Sequence, residues 1–549
     1  MKNNTLTINS SSPTLLWGMP SPTTTTTTTA ALLLIFTTAL LFLISTFFFI
    51  LFRSQTWKKS KQAPLPPGPA PWPVIGNLPE LLRNKPAFRW IIRLMKEMNT
   101  DIACIRLGNV NVIAVDNPEI AREILKKQDA VFASRPVTMA TEYSTRGFLT
   151  TALVPWGEQW KKMRRVVASE LINPARLRWL LHKRTEEADN LVRYIYNQCN
   201  SSHVIDVRAS LRHYGAGVIK KMMFNRRYFG EGRKDGGPGV EEEEHVDALF
   251  TVLSLIYAFS VSDYIPCLRW FDLDGHERII KEAIKIINKY HDPIIDERIH
   301  QWRNGKKKEP EDFLDLLISV QDTNGQPLLS TEEIKGQVTE LMLATVDNPP
   351  NVAEWALAEM INQPTILQKA VEEIDSVVGK GRLVQESDIP RLNYVKACAK
   401  ETLRMHPIAP FNLVHMSMSD TTLAGYFIPK GSHMLICRQG LNPKVWEEPL
   451  RFIPERHLKN KAAEVDLIDP DLRFIGFSTG RRGCMGVVLG TAMTIVLLAR
   501  LLQGFTWSLP PNELSLDLTE SKNDLALAKP LHLHAKPRLP VDLYPTTTY

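Results

Sequence analysis

The chain lacks what would mark it as a disulfide scaffold, a zinc module or a nucleic-acid binder. Its six cysteines, Cys104, Cys199, Cys267, Cys398, Cys437 and Cys484, are scattered over 549 residues and form no C-x-x-C pair. That argues against paired-cysteine frameworks and structural zinc, and fits a reducing compartment. No arginine-rich tract carries interleaved aromatics, so no nucleic-acid partner is expected. No internal repeat occurs, and the formal net charge of +7 is modest for this length. Charge is absent altogether from Ala30–Phe52, "AALLLIFTTALLFLISTFFFILF".

At about 1.5 Å per residue that run reaches roughly 34 Å as a helix, enough to cross a bilayer core. It is long for a cleavable signal peptide and has no persuasive small-residue cleavage site, so a retained anchor is expected. Arg53, Lys58, Lys59 and Lys61 follow it, against Lys2 before it. The positive-inside rule then places the bulk of the chain on the cytosolic side of the membrane. The expected organisation is a Ser/Thr-rich lumenal head (1–29), a transmembrane anchor (30–52), a basic and Pro-rich hinge (53–79) and one catalytic domain (80–549). Asn3 and Asn9 stand in N-x-S/T sequons, a pattern that chance also yields in a Ser/Thr-rich head.

Helical periodicity dominates the body. Helices are expected over Glu158–Leu171, Leu177–Asn197, Glu277–Arg303, Thr331–Gln363, Ile366–Val378 and Tyr394–Arg404, with Ser330-x-x-Glu333 as a capping box. Strand-like pieces are short: "IACIRLG", "VNVIAVD", "TTLAGYFIP" and "SHMLICR". The fold class is therefore mainly α with a small β region. The charge runs Gly230–His245 and Arg303–Asp312 read as solvated loops.

One helical run contradicts itself. "LMLATVDNPPNVAEW", Leu341–Trp355, contains Pro349 and Pro350, which bring no N–H to the carbonyls of Thr345 and Val346. A kink for packing is the plain reading. A polar pocket at the break, with Asp347 and Asn348 beside it, is the functional one.

The strongest motif is "FSTGRRGCMG", Phe477–Gly486, which fits F-x-x-G-x-R-x-C-x-G. Glycines permit a tight loop, and Cys484 lies directly before the helical run "VVLGTAMTIVLLARLL". A thiolate near a helix N-terminus is stabilised by the dipole and by backbone N–H groups. Such a sulfur suits iron, and a thiolate axial ligand favours O–O cleavage.

With this loop the chain resembles the haem-thiolate cytochromes P-450, over nearly its whole length. "ETLR" and "PERH" look like the family's E-x-x-R and second arginine, which implies a structural cluster of Glu401, Arg404 and Arg456. "WKKMR" looks like the W-x-x-x-R on the helix that meets a haem propionate, which implies Trp160 and Arg164 as cofactor contacts. The resemblance adds Phe477, Arg482 and His415 to that set, with plain packing as the alternative for His415.

Within the family, "NPPNVAEWALAEMINQP", "HPIAPFN" and "FSTGRRGC" are similar to one plant group, the amino-acid N-monooxygenases that form aldoximes. Where relatives carry an acid followed by Thr, this chain has Asp347, Asn348 and Pro349, and the resemblance makes Asp347 and Asn348 catalytic. It implies haem b, O₂, and electrons from NADPH through a separate cytochrome P-450 reductase. The implied reaction converts an L-amino acid, by two N-hydroxylations, dehydration and decarboxylation, to an aldoxime, an early step toward cyanogenic glucosides or related defence compounds. Apolar segments Met139–Phe148, Ile408–Leu413 and Leu525–Leu527, placed by resemblance, favour an apolar side chain, Phe ahead of Val or Ile. Arg146, Phe148, Phe411 and Leu525 are the expected substrate contacts, Arg146 as the carboxylate donor or, alternatively, a surface arginine. Thr345, Gly476 and a short Arg438–Trp446 segment depart from the group pattern. An ordinary carbon hydroxylase of a terpenoid or phenolic, and a haem-thiolate rearrangement enzyme, remain the competing readings.

Overall fold

A computed structural model describes residues 33–46, 63–201, 204–256, 258–458, 464–511 and 513–545. The chain divides into two units, Met1–Ala63 and Pro64–Tyr549. In the first, Leu33–Thr46 forms an apolar helix with exposed Leu33, Phe36 and Phe42. The flanks of the expected anchor, the sequons at Asn3 and Asn9, and the basic cluster at Arg53, Lys58, Lys59 and Lys61 lie outside the described residues.

The second unit begins sixteen residues before the expected boundary at residue 80. From Pro64 onward the Pro-rich segment lies against β structure. Extended proline-rich backbone makes no internal hydrogen bonds and leaves its carbonyls open. Pro64 accepts from Phe427 N–H (2.8 Å) and Pro67 from Cys104 N–H (2.8 Å). This part of the segment is a strap fastened to β structure.

The four predicted β stretches all form. Ile102–Leu107 and Val110–Val115 pair antiparallel, His433–Ile436 joins in parallel, and His415–Met416 closes the sheet. Thr421–Leu423 and Tyr426–Ile428 form a hairpin. Phe505–Ser508, His532–Pro537 and Ile205–Asp206 form a second sheet.

Helices make up the rest. His276–Arg303, Pro364–Val377 and Asn393–Met405 match their expected spans within two residues. Glu158–Val166 continues as a π-turn to Leu171. The capping box at Ser330 closes in both directions: Glu333 N–H donates to Ser330 Oγ (3.2 Å) and Ser330 N–H to Glu333 Oε2 (2.8 Å). The run expected over Thr331–Gln363 is two helices, Thr331–Val346 and Asn348–Asn362.

Two charged stretches differ from expectation. Helix Val240–Ile256 takes in the acidic run read as a loop, and Glu242 and His245 are fully buried. Glu242 pairs with the equally buried Lys220, and His245 Nε2 lies 2.9 Å from His291 Nε2. Asp312, at the end of the second run, caps helix Phe313–Ser319 and pairs with Arg298 (2.9 Å). These charges are internal because they have partners, which the sequence pattern does not display.

Candidate active site

The cysteine loop is closed by its own backbone. Cys484 N–H donates to Phe477 O (3.0 Å) and Gly483 N–H to Gly480 O (2.9 Å). Gly480 adopts φ +74°, and a Cβ there would overlap the carbonyl of Leu125, so only glycine fits. Gly486 caps the helix Val487–Gly504, and its N–H is directed at the Cys484 sulfur. Burial pushes the thiol pKa up, opposed by that N–H and by Arg438 and Arg164. Cys484 nevertheless has accessible surface, because it lines a cavity of about 300 Å³.

Cations gather on the same cavity. Arg164 lies on the helix Glu158–Val166 and donates to Gly483 O (3.0 Å). Arg482 donates to the carbonyls of Ala133 (2.6 Å), Thr151 (3.3 Å) and Val154 (2.8 Å). Arg135 holds Leu413 O at 2.6 Å. Burial, with Arg135 and Arg164 close by, pushes the Arg482 pKa down to about 8. Among the described residues neither Arg164 nor Arg482 forms an ion pair. Trp160 stands between them, its ring 4.6 Å from the Arg482 guanidinium and 5.7 Å from that of Arg164. Its buried indole N–H has no partner. A buried donor with no acceptor, beside cations in no ion pair, suits the place of an anionic group. The propionates of a haem whose iron meets Cys484 fit that requirement.

His415 does not line the cavity. Its Nδ1 lies 2.8 Å from Phe132 O, a group that only accepts, so Nδ1 carries the proton and Nε2 accepts from Asn412 Nδ2 (3.3 Å). Burial and the neighbouring Arg135 keep the imidazole neutral. It positions Asn412, which does line the cavity, and is not itself a cavity-facing donor.

The Glu–Arg–Arg cluster forms, with one more member. Glu401 receives Arg404 through two bonds (2.9 and 2.7 Å), Arg456 (3.0 Å) and His457 Nε2–H (2.8 Å). Burial alone would raise the Glu401 pKa, but these donors hold it at about 2. Arg404 also binds the carbonyls of Gly440 (2.8 Å) and Pro449 (2.7 Å), tying the helix to the segment before the cysteine loop. His457 ends the "PERH" motif, so its signal was one residue from Arg456.

The helix break lines the opposite wall. Asp347, Asn348, Pro349, Thr345 and Ala344 all face the cavity. The prolines occupy the first turn of the second helix, where a missing N–H costs least. Of the two carbonyls that the prolines leave without an N–H donor, that of Val346 is covered by a neighbouring helix. A Cβ on Gly215 of helix Val207–Phe224 would come within 2.9 Å of it, so only a glycine lets that helix lie against the break. The carbonyl of Ala344 accepts from Asn348 Nδ2 (2.7 Å), and that of Leu341 from Thr345 Oγ1 (2.9 Å). Burial pushes the Asp347 pKa up to about 6; Arg212 opposes the shift, and Asp524 and Glu354 add to it.

None of the expected substrate contacts lines this cavity. Arg146 does not line the cavity: it binds Asp292 (2.6 Å) and Glu332 (2.7 Å), so its guanidinium is committed. Phe148, Phe411 and Leu525 are also outside the lining. Phe411 and Leu525 pack in a separate apolar cluster under the sheet, and Leu525 O accepts from Trp355 Nε1 (3.0 Å). The apolar wall comes from Ile219, Leu253, Ile256, Leu341, Ile408 and Leu413. Ile219, Leu253 and Ile256 lie on helices that were not expected. Glu340, also missed, stands two turns before Asp347 and holds the N–H groups of Thr151 (2.9 Å), Ala152 (2.9 Å) and Leu153 (3.2 Å).

A glycine-walled cysteine facing a cation-lined cavity defines a haem-thiolate oxygenase site. Comparison with known proteins agrees: residues 66–535 match the cytochrome P-450 family, to which the chain belongs. It is 62% identical to a phenylalanine N-monooxygenase of Arabidopsis thaliana over 88% of this chain and 93% of the relative. It is 59% identical to a tryptophan N-monooxygenase of Prunus mume (88% and 92%) and to a tyrosine N-monooxygenase of Sorghum bicolor (88% and 88%). The chain is therefore a monooxygenase that uses haem, O₂ and NADPH-derived electrons delivered by a reductase.

Proposed function

We propose that the protein is an amino-acid N-monooxygenase anchored in the endoplasmic reticulum membrane, with phenylalanine as its preferred substrate. One amino acid, two O₂, two NADPH and two protons give the aldoxime, CO₂, three H₂O and two NADP⁺. The observation that carries this reading is the cavity wall Asp347–Asn348–Pro349, where an amide stands in place of a hydroxyl. Bound haem supplies the oxidising chemistry; the chain's residues orient the substrate and manage protons. Trp160, Arg164 and Arg482 hold the cofactor carboxylates, and Cys484 its iron. Asp347 has a pKa of about 6, so it takes up and releases a proton near neutral pH. Ile219, Leu253, Ile256 and Leu413 enclose the side chain and exclude water. Identities of 62% and 60% to phenylalanine N-monooxygenases of Arabidopsis thaliana and Prunus mume support phenylalanine as substrate. The product suits an early step toward cyanogenic glucosides or related defence compounds.

The test is expression of the full chain in microsomes with a plant reductase and a mixture of protein amino acids. Phenylacetaldoxime is the expected main product. A normal thiolate-type CO spectrum without aldoxime from any amino acid would overturn the proposal and favour carbon hydroxylation.

A further inference from the structure

We infer that Arg438 is a positioning residue for the iron's thiolate ligand: it ties the entrance of the cysteine loop to the Glu401–Arg404 cluster, and it holds a positive charge beside the sulfur that raises the reduction potential of the bound iron. The inference goes beyond the amino-acid reading and holds whichever substrate is oxidised.

Arg438 follows the strand His433–Ile436 by two residues and opens the short segment that departs from the group pattern. It is buried, and it lines the cavity together with Cys484. Its backbone N–H donates to Pro410 O (3.0 Å), and its carbonyl accepts from Ile475 N–H (3.2 Å). The side chain turns to the same place. Nε donates to Ile475 O (2.9 Å) and Nη2 to Gly476 O (2.5 Å). One guanidinium thus fixes two consecutive carbonyls directly before Phe477, whose own carbonyl accepts the Cys484 N–H (3.0 Å). Gly476 is a second departure from the group pattern, so the two departures meet at one bond.

The segment is fixed on its other side as well. Gly440 N–H donates to Arg404 O (2.8 Å), and Arg404 Nη1 donates to Gly440 O (2.8 Å). A Cβ on Gly440 would overlap Arg404 Cγ, so glycine lets the segment lie this close. Residues 438–440 therefore join the Glu401–Arg404 cluster to the loop that presents Cys484.

The electrostatic part follows from the fork. Neutral carbonyls hold the guanidinium without cancelling its charge, and a planar fork matches two acceptors where an ammonium is a point charge. That charge acts on the Cys484 sulfur and on Asp347 across the cavity. One-electron reduction of bound iron adds negative charge to the site, and a fixed cation favours the reduced state. Arg164 also acts on the sulfur, but it is one of the cations suited to the propionates, which offset it when haem is bound.

The experiment is a redox titration of the full-length, substrate-free holoenzyme, read from its visible spectrum, with the lifetime of the thiolate-type CO spectrum as a second readout. Arg438→Gln should shift the reduction equilibrium about tenfold toward the oxidised form, a potential lower by about 59 mV. Arg438→Lys keeps the charge and loses the fork, and should stay within about twofold of the wild-type equilibrium. Both variants should shorten the CO-spectrum lifetime by about threefold, through the lost bonds to Ile475 and Gly476. Arg438→Lys carries the test if Arg438→Gln fails to hold haem. A wild-type potential in Arg438→Gln, a fall of about tenfold in Arg438→Lys, or an unchanged CO-spectrum lifetime in both overturns the inference.

Discussion

Glu401, Arg404, Arg456 and His457 close on one another, whereas Arg164 and Arg482 close on backbone carbonyls and leave positive charge facing a cavity. Both groups are arginines taken from water within one fold. In the first, the carboxylate is on the chain, and the cluster is complete. In the second, the nearby Glu340 is spent on backbone N–H groups and forms no ion pair with either arginine, and an indole N–H beside them is left without an acceptor. Burying a cation without a counter-charge costs several kcal/mol. Its persistence at one place, beside Cys484, suits the carboxylates of a haem held there. A balanced charge cluster holds a fold; an unbalanced one states what the fold is for.

The sharpest way to break this comparison is to remove the iron's anchor. Cys484→Ser should abolish the thiolate-type CO difference spectrum and all monooxygenase activity; a retained spectrum would remove Cys484 as the ligand. Glu401→Gln attacks the balanced cluster. It leaves buried arginines uncompensated and should cost about 3–5 kcal/mol in denaturant melts, with loss of haem incorporation. The Glu401 pKa is depressed from 4.5 to about 2, so its contribution is full above pH 4.5 and lost as pH falls toward 2. Acid unfolding in that window should be absent from the variant.

Trp160→Phe tests the unbalanced cluster. It removes the N–H and keeps the ring, and should speed haem dissociation about tenfold with little change in the melt. Asp347→Asn has the opposite pH sign to Glu401. A carboxyl whose folded pKa is raised from 3.8 to about 6 favours the fold below pH 3.8, and that benefit is lost as pH rises through 6. The variant should therefore be ~1–2 kcal/mol more stable than wild type at pH 7.5, with the gain vanishing by pH 4. The smallest effect is expected from Arg146→Leu: about 1 kcal/mol of stability from the pairs with Asp292 and Glu332, and amino-acid affinity unchanged.

The elements legible in the sequence are those whose cause is local. The cysteine loop needs glycines at fixed offsets, Ser330 and Glu333 cap each other three residues apart, and Glu401 and Arg404 meet on one helix face. The break at Asp347 follows from two prolines. Helix Val207–Phe224 escaped notice because it is buried on nearly every side and so has no polar stripe to set a period. Helix Val240–Ile256 escaped because its charges find Lys220 and His291 only in three dimensions. That Arg146, Phe148, Phe411 and Leu525 lie outside the cavity lining has the same cause. Which side chain reaches the cavity depends on how distant elements pack, and a committed ion pair such as Arg146 with Asp292 leaves no trace in the residue's own neighbourhood.

The broken helix joins both themes, because its prolines follow from sequence alone and the close approach of Gly215 to Val346 and Pro350 needs the geometry. The most direct measurement is the ratio of NADPH consumed to aldoxime formed, with the full chain, its reductase and L-phenylalanine as sole substrate. The expected result is two NADPH per phenylacetaldoxime. NADPH consumption that yields a carbon-hydroxylated amino acid, or no organic product from any amino acid, would contradict it.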